Sequence, residues 1–344
     1  MKRLFPAAAA SAALLACAQP APPQSGAPAL DLRPERTLKH PERVWTASFS
    51  PDSRLLATSC VDGAVRLWSV DEGKEVRKLV HPAGVTFAAF SPDGQWIASG
   101  SYDSLVRIWR VSDAGLSHAL AGHTGTVWTV AFSADSRQLA SAGEDKTIRL
   151  WNVADGSPAT TLTGHTLNIW EVAFSSDGGW LASGSFDHTV QLWPLQGGGE
   201  VRTLTGHTEA VVSVAFSADG RLLASGGDDA KVRLWRTDSG TQIHALDTSP
   251  RHVYAVAFSS DGRYVASGGR DRGAFGELLQ NFFGEKAAGG RAETIRIWQT
   301  SDGALVRALA GHDNDVHGLE FSRDGKWLAS ASEDKTAVLW RIGP

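Results

Sequence analysis

Short strand-like runs recur along most of the chain, and residues 164–193 show one copy clearly. That stretch reads GHTLNIWEVAFSSDGGWLASGSFDHTVQLW. Residues 169–174 and 180–183 form apolar strand patterns, residues 190–193 alternate between two sides, and residues 201–204 give a fourth strand. A Ser-Ser-Asp-Gly turn separates the first two strands, and its glycine accommodates a positive φ. The unit therefore predicts four short strands joined by tight turns.

The unit repeats seven times, and one tryptophan ends the third strand of each copy. These residues are Trp68, Trp109, Trp151, Trp193, Trp235, Trp298 and Trp340. Their spacing is 41 or 42 residues, except for 63 between the fifth and sixth copies. Four short strands in about 40 residues are typical of one β-propeller blade. We therefore predict an all-β, seven-bladed propeller over 31–344, with an insertion at 272–293 in blade six.

The two ends of the repeat region predict how the ring closes. The last copy stops just after its third strand, so its fourth strand has to come from elsewhere. Ahead of the first copy, Arg36-Thr37-Leu38 matches the fourth-strand pattern Arg202-Thr203-Leu204. We expect this N-terminal strand to complete the last blade, which leaves only short, protected sheet edges.

The repeat resembles the WD40 family from roughly Pro34 to Ile342. The resemblance rests on the Gly-His pairs and on the Ser or Thr, Asp and Trp at fixed spacing in each copy. It implies an Asp–His–Ser/Thr–Trp hydrogen-bonded chain within each blade. In copies three to five the chain residues are His123, Ser141, Asp145, Trp151, His165, Ser183, Asp187, Trp193, His207, Ser225, Asp229 and Trp235. Ser249-Pro250 replaces the histidine in the sixth copy, so we expect that blade to be looser.

The same residue types make up a hydrolase triad, but we predict no catalytic residues and no enzyme activity. Geometry rather than composition defines a triad, and this set recurs in nearly every copy. Such repetition is typical of a stabilising network of buried hydrogen bonds. His252, Asp315 and His317 are a weak metal constellation without a recognised ligand spacing, so solvated side chains are favoured. We expect no metal and no cofactor.

Composition narrows the choice of partner. The net charge is −4 and the isoelectric point is near 6.3, which lacks the basic character expected of a nucleic-acid-binding domain. Thirteen Trp and 36 Gly are consistent with many short strands and tight turns. Of the two cysteines, Cys17 lies near the N-terminus and Cys60 lies in an apolar strand pattern, so no disulfide framework is available.

The first 30 residues are predicted to be a targeting segment and a tether. Residues 1–16 have a positive start and an apolar stretch too short for a stable membrane anchor, as in a signal peptide. Leu-Leu-Ala before Cys17 resembles the lipobox of bacterial lipoproteins, which implies lipidation of Cys17. Residues 17–30 are rich in Pro and Ala, as expected of an extended tether. We therefore expect a lipid-anchored envelope protein, on the outer membrane facing the periplasm. The alternative is Ala-x-Ala cleavage, which yields a soluble periplasmic or secreted protein.

Partners of WD40 proteins commonly dock on the face that carries the Gly-His loops and the Asp turns. The resemblance implies two exposed positions per blade, one early in the innermost strand and one just before the turn Asp. The predicted partner-binding residues are Trp45, Tyr102, Trp128, Glu144, Trp170, Phe186, Asp228, Tyr254, Arg270, His317 and Glu333. Aromatic rings among acids suit a peptide anchor or a cationic side chain. The alternative is that some rings pack on neighbouring blades.

The insertion is expected to project from the same face. Leu278, Leu279, Phe282 and Phe283 fall on one side of a short helix, which either recruits a partner or shields its own blade. We predict a monomeric, non-enzymatic scaffold that binds a protein or peptide, with no nucleic acid and only the lipid anchor contacting membrane. The alternatives are a carbohydrate- or cell-wall-binding propeller and, less favoured, an enzyme with its site at the channel mouth.

Overall fold

The structure is a computed structural model that describes residues 30–196, 198–248, 252–270 and 293–343. Every regular element in these ranges is a β-strand, so the predicted all-β fold is confirmed. They contain no helix long and apolar enough to cross a bilayer. The predicted signal peptide, Cys17, all but the last residue of the tether, and the insertion before Glu293 lie outside the described residues. So do Leu278, Leu279, Phe282, Phe283 and Ser249-Pro250.

The strands form seven four-stranded antiparallel sheets, which are the blades. Blade 1 contains β2 (Val44–Phe49), β3 (Leu55–Cys60), β4 (Ala64–Ser69) and β5 (Glu75–Val80). Blade 2 contains β6 (Val85–Phe90), β7 (Trp96–Ser101), β8 (Val106–Arg110) and β9 (Leu116–Leu120). Blade 3 contains β10 (Val127–Phe132), β11 (Gln138–Gly143), β12 (Thr147–Asn152) and β13 (Pro158–Thr163). Blade 4 contains β14 (Ile169–Phe174), β15 (Trp180–Ser185), β16 (Val190–Pro194) and β17 (Arg202–Leu204).

The remaining blades follow the same order from the innermost to the outermost strand. Blade 5 contains β18 (Val211–Phe216), β19 (Leu222–Gly227), β20 (Lys231–Arg236) and β21 (Gln242–Asp247). Blade 6 contains β22 (His252–Phe258), β23 (Tyr264–Arg270), β24 (Glu293–Gln299) and β25 (Leu305–Ala310). Blade 7 contains β26 (Val316–Phe321), β27 (Trp327–Ser332), β28 (Thr336–Ile342) and, as its outermost strand, β1 (Leu32–Lys39).

The N-terminal strand closes the ring, as predicted. β1 pairs antiparallel with β28, and Leu38 lies opposite Ala337. Leu38 is 2% exposed and packs in an apolar cluster with Ala337 and Leu339. The innermost strands of blades 7 and 1 are also in contact, so the sheets form a continuous circle.

The core consists of apolar layers between successive blades. One layer joins Ile148 and Leu150 of blade 3 to Val172 and Leu181 of blade 4. Burying a side chain of this size contributes about 1.5–3 kcal/mol each, and equivalent layers recur around the ring. Cys60 is fully buried in its strand, as its apolar surroundings predicted.

One residue near the start of each innermost strand is skipped by the pairing with the next strand, which makes a β-bulge in all seven blades. The skipped residues are Trp45, Thr86, Trp128, Trp170, Val212, Tyr254 and His317. A bulge bends its strand and re-aims the side chain of the unpaired residue. The fold therefore repeats the same local distortion seven times at one end of the central channel.

Candidate functional site

The seven bulge residues meet at that end of the channel. All of them line one small cavity of about 30 Å³. The predicted first position of each blade is therefore the bulge position, and the bulge explains why residues of seven different sheets come together. Thr86 and Val212 are buried there, whereas the aromatic residues and His317 stay partly exposed.

Three indole rings reach across the channel and close it. Trp45 of blade 1 lies 6.5 Å from Trp128 of blade 3 and 6.3 Å from Trp170 of blade 4, measured between ring centroids. Trp128 and Trp170 stack at 4.5 Å with an interplanar angle of 19°. Contacts between blades that are not neighbours mean that the rings fill the channel mouth, so part of the predicted aromatic set packs on itself.

Further rings extend this surface on both sides. Tyr102 meets Trp128 edge-on at 5.7 Å, and Phe186 stacks on Trp170 at 5.3 Å. On the other side His317 lies 4.5 Å from Trp45 and 4.9 Å from Tyr254. We call these residues the aromatic cap: Trp45, Tyr102, Trp128, Trp170, Phe186, Tyr254 and His317. Each is partly exposed, so the cap is one continuous apolar surface.

The predicted acidic residues surround the cap but are engaged by neighbouring groups. Glu144 is exposed, and its carboxylate accepts a hydrogen bond from the Thr126 N–H at 3.0 Å. Asp228 pairs with His252 at 3.0 Å. Glu333 lies 3.5 Å from the guanidinium of Arg43. Arg270 ends β23, and its side chain lies outside the described residues.

A hydrogen-bonded chain runs through blade 4 behind the cap. The Trp193 indole N–H donates to the Ser183 hydroxyl at 2.8 Å, which is 2.7 Å from His165 Nε2. His165 Nδ1 lies 2.8 Å from the carboxylate of Asp187. Because a carboxylate only accepts, Nδ1 carries the proton and Nε2 accepts from the serine.

The same chain connects the corresponding residues of three other blades. In blade 3 it joins Trp151, Ser141, His123 and Asp145. In blade 5 it joins Trp235, Ser225, His207 and Asp229. In blade 7 it joins Trp340, Ser330, His312 and Asp334.

Blades 1 and 2 lack the Asp–His link that was expected in every blade, so that expectation is wrong for these two blades. His81 still contacts the Ser99 hydroxyl at 2.8 Å, but its other ring nitrogen faces the Leu79 carbonyl at 3.3 Å. Asp103 instead forms an ion pair with Arg107 at 2.7 Å. Blade 1 shows the same arrangement, with an Asp62–Arg66 pair and His40 against a backbone carbonyl.

The residue before the histidine differs between the two groups of blades. The four blades with the link have Gly-His, whereas blades 1 and 2 have Lys39-His40 and Val80-His81. A Cβ on Gly311 would lie 2.3 Å from the indole of Trp340. Only glycine lets the tryptophan ring approach so closely, and a side chain there accompanies a different arrangement of the ring and the histidine.

The family comparison matches this repeat at seven segments. The family described as "WD domain, G-beta repeat" matches residues 32–69, 73–110, 115–152, 156–194, 198–236, 240–274 and 303–341. These segments cover more than half of the chain. The chain belongs to the WD40 family. WD40 propellers are typically non-catalytic scaffolds that bind protein partners.

Several curated proteins share a WD40 segment with the chain. A 56-residue stretch is 46% identical to "Nuclear distribution protein nudF" of Aspergillus niger. Stretches of the same length are 48% and 46% identical to "Nuclear distribution protein PAC1" of Gibberella zeae and of Coccidioides posadasii. Each match covers 16% of this chain and 12% of the relative's length.

These relatives overturn the predicted location. A lipid-anchored position in the bacterial cell envelope was expected, with a soluble periplasmic or secreted protein as the alternative. The matched proteins are fungal nuclear distribution proteins, so the bacterial envelope prediction is wrong. It rested on the leader alone, and no WD40 residue contributed to it.

The aspartates of the WD40 network are held ionised by their histidine partners. Burial by itself raises the pKa of Asp334. The hydrogen bond and charge of His312 outweigh this effect and bring the pKa to about 2, below its ordinary value. The same opposition lowers the pKa of Asp229 to about 2, with His207 as the main partner. These aspartates therefore stay ionised at neutral pH, and the hydrogen-bonded chain in each of their blades keeps its carboxylate acceptor.

Two glutamates in the channel wall were missed by the sequence reasoning. Glu171 takes the place that Thr46 and Ser213 hold in blades 1 and 5, where the hydroxyl accepts a backbone N–H from the next blade. Glu171 does the same through its carboxylate, 2.8 Å from Val214 N. Both Glu171 and Glu320 line a central cavity of about 390 Å³. A charged residue at an inward position of the innermost strand was the sequence signal that could have identified both glutamates.

Ionising these glutamates destabilises the WD40 fold. Burial raises the pKa of Glu171 to about 7, although the hydrogen bonds from Ser213 and Val214 act in the other direction. Burial likewise raises the pKa of Glu320 to about 7. The ordinary value is 4.5, so the folded state binds more protons than the unfolded chain between pH 4.5 and 7. Their contribution to stability is present below pH 4.5 and is lost as pH rises through 7.

We expect Glu171→Gln to stabilise the protein at high pH only. Its free energy of unfolding should match the wild type near pH 4.5 and exceed it by about 1–3 kcal/mol above pH 7, since glutamine accepts the same N–H without charge. Urea unfolding at a series of pH values measures the difference. Glu144→Gln controls for the loss of one surface charge. The prediction would be contradicted if, for both Glu171→Gln and Glu320→Gln, the difference in free energy of unfolding from the wild type does not change between pH 4.5 and pH 7.

Proposed function

We propose that the protein is a non-catalytic scaffold that binds a peptide segment of a partner protein on its aromatic cap. The observation that carries this proposal is the convergence of the cap residues, from six blades, on one mouth of the channel. Grouped apolar rings that stay partly exposed at one place are typical of an interaction site. Protein binding is also the usual role of WD40 propellers.

The shape of the cap indicates how a peptide lies on it. The rings of Tyr102, Trp128, Trp170 and Phe186 follow one another across blades 2 to 4, with neighbouring centroids 4.5–5.7 Å apart. Such a row offers a peptide one long apolar strip rather than a deep pocket. The exposed carboxylate of Glu144 lies on the blade between its two ends, where it favours a basic residue in the peptide.

The hydroxyl chemistry of the blades supports a scaffold rather than a hydrolase. Ser183 is fully buried, and its oxygen is shared between the Trp193 N–H and His165. The corresponding serines of blades 3, 5 and 7 are buried in the same way. A nucleophile must reach a substrate carbonyl, and these oxygens lie inside the sheets.

A peptide-display selection on the purified full chain tests the proposal. We expect apolar or aromatic peptides with a basic residue, and we expect Tyr102→Ala and Phe186→Ala each to weaken their binding at least tenfold. Tenfold corresponds to about 1.4 kcal/mol, which is modest for an aromatic interface residue. Leu116→Ala, at a residue 46% exposed on the outer strand β9, is the matched control.

Two results would count against the site. If both ring variants bind the selected peptides as the wild type does, the cap is not the docking surface. Glycan fragments are run in the same binding assay. The carbohydrate-binding alternative would be favoured if no peptide is selected, if glycan fragments bind the wild type, and if the ring variants lose that binding.

A further inference from the structure

Three potential metal ligands lie together at the edge of the cap, on blade 7. One ligand atom from each of Asp315, His317 and Glu333 can be chosen so that all three lie within 4.8 Å of one another. Asp315 precedes β26, His317 is the bulge residue of that strand, and Glu333 follows β27. Donors bound to one Zn²⁺ lie about 2.0–2.2 Å from it, so atoms that are already this near one another need only a small adjustment to share one ion.

The fold holds this group together through backbone contacts. The Glu333 N–H donates to the Asp315 carbonyl at 3.0 Å, which fixes the two acidic residues on adjacent strand ends. Asp315 is buried, with 6% of its surface exposed. The bulge at His317 turns the imidazole toward the mouth, where it lines the small cavity.

His317 has no hydrogen bond to either ring nitrogen among the described residues. Its contacts there are ring packing against Trp45 and Tyr254. The other histidine of this region, His252, is paired with Asp228 instead. The sequence pattern grouped His252 with Asp315 and His317, and the structure replaces His252 by Glu333. A largely enclosed imidazole without a hydrogen-bond partner is an available nitrogen ligand.

Blade 3 shows that the group is specific to blade 7. There Thr126, Trp128 and Glu144 occupy the places of Asp315, His317 and Glu333. Glu144 has the same backbone environment as Glu333, because its N–H donates to the Thr126 carbonyl at 3.0 Å. Unlike blade 3, blade 7 combines the carboxylate with an imidazole and a second carboxylate.

Arg43 of the neighbouring blade 1 opposes a cation at this place. Its guanidinium lies 3.5 Å from Glu333 and 5.1 Å from the Trp45 ring centroid. The Arg43 and Glu333 side chains are 42% and 34% exposed, so the pair is weak and solvent-screened. An ion bound by Glu333 competes with Arg43, and this competition provides a test.

We propose that Asp315, His317 and Glu333 bind one divalent transition-metal ion, with Zn²⁺ as the best match. One imidazole nitrogen and two carboxylate oxygens are ligands that Zn²⁺ accepts, whereas Ca²⁺ and Mg²⁺ prefer oxygen alone. Three protein ligands leave a fourth position for water or for a side chain of a partner. The proposal goes beyond peptide binding by the cap and does not depend on it.

Calorimetric titration of the metal-free full chain with Zn²⁺ tests the site. We expect one ion per chain, binding at least tenfold weaker in Glu333→Gln, and binding several-fold tighter in Arg43→Met, which removes the competing cation. Glu144→Gln, the matched change in blade 3, should bind as the wild type does. Circular dichroism checks that each variant is folded.

Several results of the Zn²⁺ titration would count against the proposed site. Absence of binding in the wild type at micromolar Zn²⁺, or equal affinity in the wild type and Glu333→Gln, overturns the site. Weaker binding in Arg43→Met contradicts the competition between Arg43 and the ion. Peptide binding measured in the presence of a chelator separates this proposal from the function of the cap, since loss of one leaves the other intact.

Discussion

Ser183→Ala is expected to lower the free energy of unfolding by about 2–5 kcal/mol. The change leaves two buried groups without partners, the indole N–H of Trp193 and Nε2 of His165. An orphaned buried donor or acceptor costs about 1–3 kcal/mol, and here there are two. Urea unfolding followed by tryptophan fluorescence measures the loss.

The matched control is Ser267→Ala in blade 6. Ser267 is also buried and accepts the Trp298 indole N–H at 3.0 Å, but Ser249 stands where the other blades have histidine. Within the part of blade 6 that the structure describes, that variant orphans one donor, so the expected loss is about 1–3 kcal/mol. Equal losses in the two variants would show that the histidine link adds nothing to stability.

Leu38→Asp is expected to open the ring. It places a carboxylate in the apolar cluster that joins β1 to β28, and an uncompensated buried charge costs about 3–5 kcal/mol. Release of β1 exposes the edge of β28 to pairing with other chains. We therefore expect faster limited proteolysis within residues 30–39 and association of the chain in size-exclusion chromatography.

The neighbouring residue gives the control for ring opening. Thr37 lies on the same strand and is exposed, so Thr37→Asp introduces the same charge into solvent. It should change stability by no more than about 0.5 kcal/mol. If Thr37→Asp and Leu38→Asp behave alike, the closing strand contributes little to the stability of the ring.

The fold was predictable because its information is local and repeated. The recurring Trp defines each blade, and the match of Arg36-Thr37-Leu38 to the fourth-strand pattern identifies the closing strand. Burial layers between blades follow from the same alternation. A period of 42 residues repeated around the chain leaves few arrangements other than a ring of similar sheets.

The site was predictable in position but not in geometry. The residues of the cap were named, yet the stacking of Trp128 on Trp170 and the reach of Trp45 across the ring depend on contacts between distant blades. No local pattern records the distance across a channel. The binding role of the cap stays a prediction.

Other features had signals that were available but not used. The missing Asp–His link in blades 1 and 2 goes with the absence of glycine before His40 and His81. Glu171 and Glu320 occupy inward strand positions where the other copies have uncharged residues. The group of Asp315, His317 and Glu333 needed the register of β26 and β27 to become visible.

The seven bulges free one side chain in each blade from the regular pairing of the sheet. A skipped residue makes no regular cross-strand pair, so the ladder of its blade places no demand on its chemistry. The sequence varies accordingly: tryptophan, threonine, valine, tyrosine and histidine occupy this equivalent position in different blades. The propeller thus keeps one backbone frame while the side chain at this place differs from blade to blade. A new binding specificity can be selected at these places while the strands that close the ring stay unchanged.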